Sequence, residues 1–235
     1  MSGIMATTLN DQPFVHDSGD APDVVATRGN SVPVVTALIV AIIAAYNLAL
    51  LLNGDYLHVL DHVLANNYHS TWASREYWRP FTSWIPHLDL THLLWDVAYL
   101  SVVGVICEKL YGPWRVLEVF FLGTFVGSWL SAACDSRFLE VLGSSAGTHA
   151  VAAYFCVRES LDANNGRIFR VLTFGLLGYL VYLTVHGLMY GAMGWPLGFF
   201  ANSGFDHLGG IGSAVVVAVW DATWQKRKNR LNRFV

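Results

Sequence analysis

Charged residues are scarce in this chain of 235 residues: Asp, Glu, Lys and Arg make up 13% of it, while 54% of the residues are apolar. An average soluble domain has about 25% charged and about 45–50% apolar residues, so a water-exposed surface of ordinary composition is excluded. An excess of basic charge is also absent, because 14 Lys and Arg stand against 17 Asp and Glu. A nucleic-acid-binding protein needs a basic field, and this balance argues against one.

Cysteine is equally rare, whereas histidine is not. The three cysteines, Cys107, Cys134 and Cys156, stand at wide spacings, which argues against a disulfide framework and a zinc knuckle. We expect them to fill space in the protein core. Nine histidines are present, more than so apolar a chain leads us to expect. They are therefore the first candidates for a functional site.

Long apolar runs account for this composition. A bilayer-spanning helix needs about 17–25 predominantly apolar residues. Candidate spans lie at 34–53, 88–107, 116–133, 145–157, 171–193 and 207–224. The fourth run is short and begins with small polar residues, as expected for a helix that begins within the membrane behind a loop. The sequence therefore predicts an all-α, polytopic membrane bundle of six transmembrane helices.

The distribution of basic residues predicts the orientation of this bundle. If the N-terminus is cytoplasmic, all of the 14 basic residues except Arg75, Arg79 and Arg137 fall in cytoplasmic segments. This is the bias that the positive-inside rule describes, and it places both termini in the cytoplasm. We expect a flexible cytoplasmic tail at 1–32, a membrane domain at 33–224 and a basic cytoplasmic tail at 225–235.

Ionisable side chains in or beside the predicted spans are costly in lipid and mark candidate sites. They are His87, His92, Asp96, Glu118, His149, His186, Asp206 and His207. His92 and Asp96 are four residues apart and share one helix face, so Asp96 is placed to hold the His92 ring by a hydrogen bond. A structural pair that joins two helices is the alternative.

Small residues surround a serine at the start of the fourth span, in the stretch Gly143-Ser144-Ser145-Ala146-Gly147. Ser145 is expected at a helix N-terminus, where free amides and the helix dipole stabilise an anion. The oxyanion of an acyl transfer needs such an environment. A packing seam of small residues is the alternative. The Gly-x-Ser-x-Gly pattern does not indicate an α/β-hydrolase, because the chain offers no parallel sheet.

His207 opens the sixth span and is followed by Gly209, Gly210 and Gly212. These glycines allow the sixth helix to approach the fourth closely enough to bring His207 within reach of Ser145. An interfacial histidine beside packing glycines is the alternative interpretation of the same residues.

Taken in chain order, these motifs resemble those of the rhomboid family of intramembrane serine proteases. Over residues 75–225, the matching positions are Trp78, Arg79 and Thr82; His87, His92 and Asp96; Glu108, Gly112 and Arg115; Gly143 to Gly147 around Ser145; and His207 with Gly210. The resemblance implies Ser145 as nucleophile and His207 as general base, with no orienting carboxylate, no metal and no cofactor. It also implies an oxyanion hole built from the Ser145 amide, His92 and the residue at position 96.

Two positions depart from the rhomboid pattern. Asp96 stands where the family has asparagine, and an ionised carboxylate cannot donate a hydrogen bond to an oxyanion. Either burial keeps Asp96 protonated, or Asp96 orients and charges His92, or the oxyanion hole is weaker. His149 stands where tyrosine is usual, and we expect its ring to pack on His207. A histidine there also resembles the rhombosortase branch of the family.

The resemblance implies a membrane-protein substrate cleaved in or beside the lipid bilayer, and the size of the chain favours a bacterial inner membrane. A catalytically inactive rhomboid-like protein that binds transmembrane clients is the second hypothesis. Asp96 favours it, while the presence of both Ser145 and His207 opposes it. A membrane metal site or proton path is the third hypothesis, since histidine and carboxylate suit zinc or iron. Its members are His87, His92, Asp96, His149 and His207.

Overall fold

The structure is a computed structural model that describes residues 32–53, 64–134, 140–192 and 204–232. Nearly all of the predicted tail at 1–32, and the end of the predicted tail at 225–235, lie outside the described residues. The described part is helical, apart from loops and one isolated bridge between Asn66 and Val141. The predicted all-α fold is confirmed.

Six long helices form the bundle. They are α1 (Val34–Asn53), α2 (Leu90–Tyr111), α3 (Pro113–Cys134), α4 (Ser145–Leu161), α5 (Arg167–Ala192) and α6 (Gly204–Leu231). Two short helical segments, His69–Ala73 and Arg79–Thr82, lie between α1 and α2. Within the described ranges, α1, α2, α3 and the part of α5 up to His186 are long and apolar enough to span a membrane. α4 and α6 are not among these four, so the count of six spans stays a prediction.

α4 lies at the centre of the bundle, packed against α2, α3, α5 and α6. Its residues from Ser145 to Val157 are buried almost without exception, including Ala150 and Ala153. A helix enclosed by protein needs neither the length nor the hydropathy of one in contact with lipid, because neighbouring helices satisfy its polar groups. This enclosure explains why the fourth apolar run is short.

Local sequence explains where α2 ends and α3 begins. Asp89 caps the start of α2, because its carboxylate accepts a hydrogen bond from the backbone N of His92 at 2.8 Å. Gly112 ends α2 with φ of +87°, a region that favours glycine. Pro113 then begins α3, at a position where a backbone N–H has no partner within the helix.

α6 docks closely on α3 and α4 through glycines. A Cβ atom built on Gly209 would lie 2.6 Å from Cα of Gly127, and one built on Gly210 would collide with the backbone oxygen of Ala146. Contact this close requires glycine and gives extensive van der Waals packing between helices. The packing holds the first turn of α6, which carries His207, against the start of α4.

Two residues of the rhomboid pattern tie helices together. Glu108 of α2 accepts hydrogen bonds from the backbone N of Val35 at 3.0 Å and from both N and Oγ1 of Thr36 at 2.8 Å. It therefore satisfies amides at the start of α1 that have no partner within that helix. Arg115 of α3 donates to Asp221 of α6 at 3.0 Å. Both residues act at a distance from Ser145, as parts of the scaffold.

Candidate functional site

The turn that precedes α4 requires glycine at position 143. Gly143 has φ of +111°, and its backbone N donates to the backbone oxygen of Ser83 at 2.8 Å. A Cβ atom on Gly143 would lie 2.8 Å from Cε1 of His92, so backbone strain and lack of space both oppose a side chain. α4 begins at Ser145, where the amides of the first turn have no partner within the helix.

Ser145 and His207 meet where α4 and α6 begin. Oγ of Ser145 lies 2.8 Å from Nε2 of His207, although the two residues are 62 positions apart in the chain. Both residues are buried, with 6% and 7% of their surface exposed. The distance is that of a hydrogen bond between a hydroxyl and a ring nitrogen. The pair has the geometry of a nucleophile beside a base.

His149 lies one helical turn after Ser145 and stacks on His207. The two ring centroids are 4.2 Å apart, and the angle between the ring planes is 17°. Nδ1 of His149 lies 2.7 Å from the backbone oxygen of Ser145. A carbonyl oxygen only accepts, so this nitrogen carries the proton and donates. The hydrogen bond fixes the orientation in which His149 meets His207.

Asp96 faces two histidines and a hydroxyl. Its Oδ2 lies 3.2 Å from Nε2 of His87 and 3.7 Å from Nε2 of His92. Oγ of Ser144 donates to the same oxygen at 3.2 Å. The four-residue spacing pointed to His92 as the partner of Asp96, yet His87 lies nearer. The carboxylate therefore connects the loop before α2, which carries His87, with the turn before α4.

The ring of His87 is held at both of its nitrogens. Nδ1 lies 3.2 Å from the backbone oxygen of Ile85 and 3.4 Å from Nδ2 of Asn47. Nε2 lies 3.2 Å from Oδ2 of Asp96 and 3.4 Å from both the backbone N and Oγ of Ser144. These contacts fix the ring against the turn that precedes Ser145.

Sequence reasoning did not include Asn47 and Ser144 among the site residues. Asn47 of α1 accepts from the backbone N of His87 at 3.0 Å and donates to the backbone oxygen of Ile85 at 2.8 Å. One feature of the sequence could have identified Asn47: it is a strongly polar residue inside the first apolar run, at 34–53. Ser144 lies in the same small-residue stretch as Ser145, and no pattern in the sequence pairs it with Asp96.

A cavity of about 520 Å³ lies beside the serine, between α2 and α5. One wall carries His92, Asp96, Ser145, His149 and His207. The rest is mostly apolar and aromatic, and includes Trp95, Tyr99, Val102, Tyr179, Leu180 and Leu183. The five polar side chains that the resemblance brought together thus share one cavity with an apolar lining.

The remaining predicted residues lie outside this cavity. Arg79 is buried and donates to the backbone oxygen of Ala65 at 2.8 Å, which holds the loop before α2 in place. Its neighbour Trp78 is 53% exposed. Four more lie at contacts between helices or at their ends: Glu108, Arg115, Gly147 and Gly210. His87 and Gly143, which lie beside Asp96 and His92, do not line the cavity either.

A metal site was the third hypothesis for these residues. Among the described residues, no group of three or more His, Cys, Asp or Glu side chains is arranged to hold a metal ion. His149 and His207 stack on each other beside Ser145, while His87 and His92 approach Asp96. The histidines thus form two groups, one beside Ser145 and one around Asp96.

Comparison with known proteins places the chain in a family. A family model described as the rhomboid domain matches residues 74–223. The chain is 39% identical over 77 residues to "Rhomboid-related protein 1" of Caenorhabditis elegans and 31% identical over 75 residues to "Inactive RHOMBOID-like protein 8" of Arabidopsis thaliana. It is 30% identical over 78 residues to "Inactive rhomboid-related protein 2" of Caenorhabditis elegans.

These three matches cover 32–33% of this chain, and the chain spans only 21–22% of the length of each relative. Two of the three relatives are named inactive, so the comparison of sequences leaves the activity open. The family match is longer and takes in α2 to α6 up to residue 223, together with the loop that carries Trp78 and Arg79. The chain belongs to the rhomboid family.

Proposed function

We propose that this rhomboid protein is a serine endopeptidase that cleaves membrane proteins within or beside the bilayer. The observation that carries the proposal is the 2.8 Å separation between Oγ of Ser145 and Nε2 of His207. A serine hydroxyl becomes an effective nucleophile when a base lies within hydrogen-bond reach. This pair meets that condition at the wall of a cavity of about 520 Å³.

In the proposed reaction, His207 accepts the proton of Ser145 while Oγ bonds to the carbonyl carbon of the substrate. The tetrahedral intermediate collapses, the C–N bond breaks, and His207 gives its proton to the leaving amine. Water then attacks the acyl-enzyme ester, losing a proton to His207, which returns it to Oγ of Ser145. His149 supports the ring of His207 by stacking throughout both stages.

The donors to the oxyanion in this proposal are the amides at the start of α4 and the ring of His92. Unpaired amides at a helix N-terminus and the helix dipole both favour negative charge. Asp96 is not assigned as a donor, because its Oδ2 accepts from Ser144 and lies 3.2 Å from Nε2 of His87. We give Asp96 the role of positioning the turn that ends at Ser145.

The lining of the cavity supports a membrane-embedded substrate. Family membership and four long apolar helices indicate an integral membrane protein. α2 and α5, which border the cavity, are two of those four helices, and exposed Trp95 and Tyr179 lie on its rim. An apolar segment can therefore approach Ser145 between them. From the size of the chain and the rhomboid resemblance, we further propose a bacterial inner membrane. From the distribution of basic residues, we propose that both termini lie in the cytoplasm.

A catalytically inactive rhomboid that binds transmembrane clients is the second candidate, because two of the relatives are named inactive. Labelling with a fluorophosphonate probe separates the two candidates, since the probe bonds covalently to an activated serine hydroxyl. We expect the purified full chain to be labelled, and Ser145→Ala or His207→Ala to abolish labelling and cleavage of a transmembrane substrate.

Ser213→Ala is the matched control for that experiment. Ser213 lies six residues after His207 in α6, and its Oγ donates to the backbone oxygen of Gly210 at 2.9 Å. We expect this variant to label as the unmodified chain does. A chain that resists the probe and cleaves no transmembrane substrate, while remaining folded, is a client-binding protein and not a protease.

A further inference from the structure

A second and larger cavity lies at the opposite ends of the same helices, away from the serine. It has a volume of about 830 Å³ and is bounded by the last turns of α4, the first turns of α5 and the middle of α6. Its α5 wall runs from Arg167 and Arg170 to Val171, Phe174 and Leu177. The cavity thus has a cationic end and an apolar body.

The cationic end and the apolar body of the cavity follow each other along α5. Arg167, Arg170, Val171 and Phe174 stand at positions i, i+3, i+4 and i+7 and so share one face of α5. From Arg170 to Leu177 the helix rises about 10 Å, so the apolar part extends from the arginines toward the middle of the bundle. Val215 and Val219 of α6 form the facing wall.

Neither arginine at the cationic end is paired with a carboxylate within the described part of the chain. None of the ion pairs there includes Arg167 or Arg170. The nearby carboxylate of Glu159 accepts hydrogen bonds from Tyr111 and Asn165 instead. Nε of Arg170 donates a hydrogen bond to the backbone oxygen of Ser160 at 2.9 Å, and this bond positions the guanidinium at the cavity.

The apolar part of the cavity is open to the outside of the bundle. Val171 is 63% exposed and Phe174 is 67% exposed. In an integral membrane protein, a surface of this kind is in contact with acyl chains and not with water. An anion at the cationic end and an acyl chain along the apolar part are together the chemistry of an anionic phospholipid.

We propose that this cavity is a binding site for one anionic phospholipid. Its phosphate pairs with the guanidinium groups of Arg167 and Arg170, which suit phosphate because they donate two parallel hydrogen bonds and are weakly hydrated. One acyl chain lies in the groove between Phe174 of α5 and Val215 and Val219 of α6. The lipid thereby joins α4, α5 and α6 at the end of the bundle remote from Ser145.

The test uses native mass spectrometry of the purified full chain, exchanged into detergent with equal amounts of phosphatidylglycerol and phosphatidylcholine. We expect one phosphatidylglycerol to be retained selectively. For Arg167→Gln with Arg170→Gln, retention should fall about tenfold or more, because each basic residue near a membrane surface adds to the attraction of anionic lipid. The single variant Arg167→Gln, which keeps the Arg170–Ser160 contact, should give a smaller loss.

Matched variants separate this site from general electrostatic attraction. Arg227→Gln with Arg230→Gln removes the same charge from exposed positions near the end of α6, and we expect it to retain the lipid. Val219→Trp fills the groove without changing the charge, and it should reduce retention as the double arginine variant does. These measurements do not depend on Ser145 or His207, so their failure is distinct from failure of the proposed protease activity.

Several results would overturn the proposal. Equal retention of the two lipids would show that the arginines do not favour phosphatidylglycerol over phosphatidylcholine. Unchanged retention by the double arginine variant, or by folded Val219→Trp, would place the lipid elsewhere. Displacement of the lipid by inorganic phosphate at the same concentration would identify a site for a free anion, because the acyl chain would then contribute nothing.

Discussion

Oδ2 of Asp96 lies 3.2 Å from Nε2 of His87, a residue nine positions earlier in the chain and outside the helix that carries Asp96. Together with the hydrogen bond from Ser144, this contact joins the loop before α2 to the turn before α4. The carboxylate is thus part of the framework that positions Ser145. Its negative charge opposes the charge that the proposed reaction develops on the substrate oxygen.

Replacing Asp96 by asparagine removes the negative charge of the side chain while keeping a side chain that can make the same hydrogen bonds. With its amide oxygen in the place of Oδ2, asparagine can accept both from Oγ of Ser144 and from a proton on Nε2 of His87, so the contacts survive. We expect Asp96→Asn to keep its stability and to raise kcat severalfold with little change in KM, because a negative charge near the oxyanion is removed. The measurement is steady-state cleavage of a transmembrane substrate in detergent.

Asp96→Ala is the comparison for that variant. It leaves His87 and Ser144 without their shared buried partner, a loss of about 1–3 kcal/mol in the free energy of unfolding. A fall in kcat for Asp96→Asn, with unfolding unchanged, would contradict the expectation. It would show that the carboxylate charge itself serves the reaction through His87 or His92.

The stacking of His149 on His207 predicts how the base responds to mutation. Tyrosine at 149 keeps an aromatic face against the imidazole, whereas alanine removes it. An aromatic pair contributes about 0.5–1.5 kcal/mol beyond its buried area, which corresponds to about a 2- to 12-fold change in rate. We expect the rate of fluorophosphonate labelling to fall by that factor for His149→Ala and to change little for His149→Tyr. Equal labelling rates for the two variants would show that stacking of residue 149 on His207 does not contribute to the proposed mechanism.

We expect Gly143 to affect both the stability of the fold and the reactivity of Ser145, and Gly112 to affect the stability alone. Both have positive φ, so alanine at either position costs about 1–3 kcal/mol of backbone strain. A Cβ atom at Gly143 would also press on the ring of His92, while no described atom lies within 4 Å of one at Gly112. Gly143→Ala should therefore lower both the thermal unfolding temperature and the labelling rate. Gly112→Ala should lower the unfolding temperature only, and a shared loss of labelling would contradict this distinction.

How much the sequence could predict depends on the range over which each interaction acts. The apolar runs are local signals, and the helices they predict are present. Asp89, Gly112 and Pro113, which determine where α2 begins and ends and where α3 begins, also act within a few residues. Asp96 lies nearer to His87 than to His92 because the loop before α2 folds back onto it. The spacing of residues along a helix does not encode how that loop folds. The enclosure of α4 likewise depends on all its neighbours. Hydropathy measured along the chain could not settle whether that helix meets lipid.

The contact between α6 and α4 gives the most direct prediction about how His207 reaches Ser145. A Cβ atom on Gly210 would overlap the backbone oxygen of Ala146, so Gly210→Ala must push the first turn of α6 away from α4. A displacement of about 1 Å in a catalytic arrangement can cost about 100-fold in rate. We expect labelling of Ser145 to slow by about 10- to 100-fold. Gly212→Ala is the control, because among the described residues nothing lies within 4 Å of a Cβ atom there. If the two variants label at the same rate, close packing at Gly210 does not position His207, and another contact of α6 must do so.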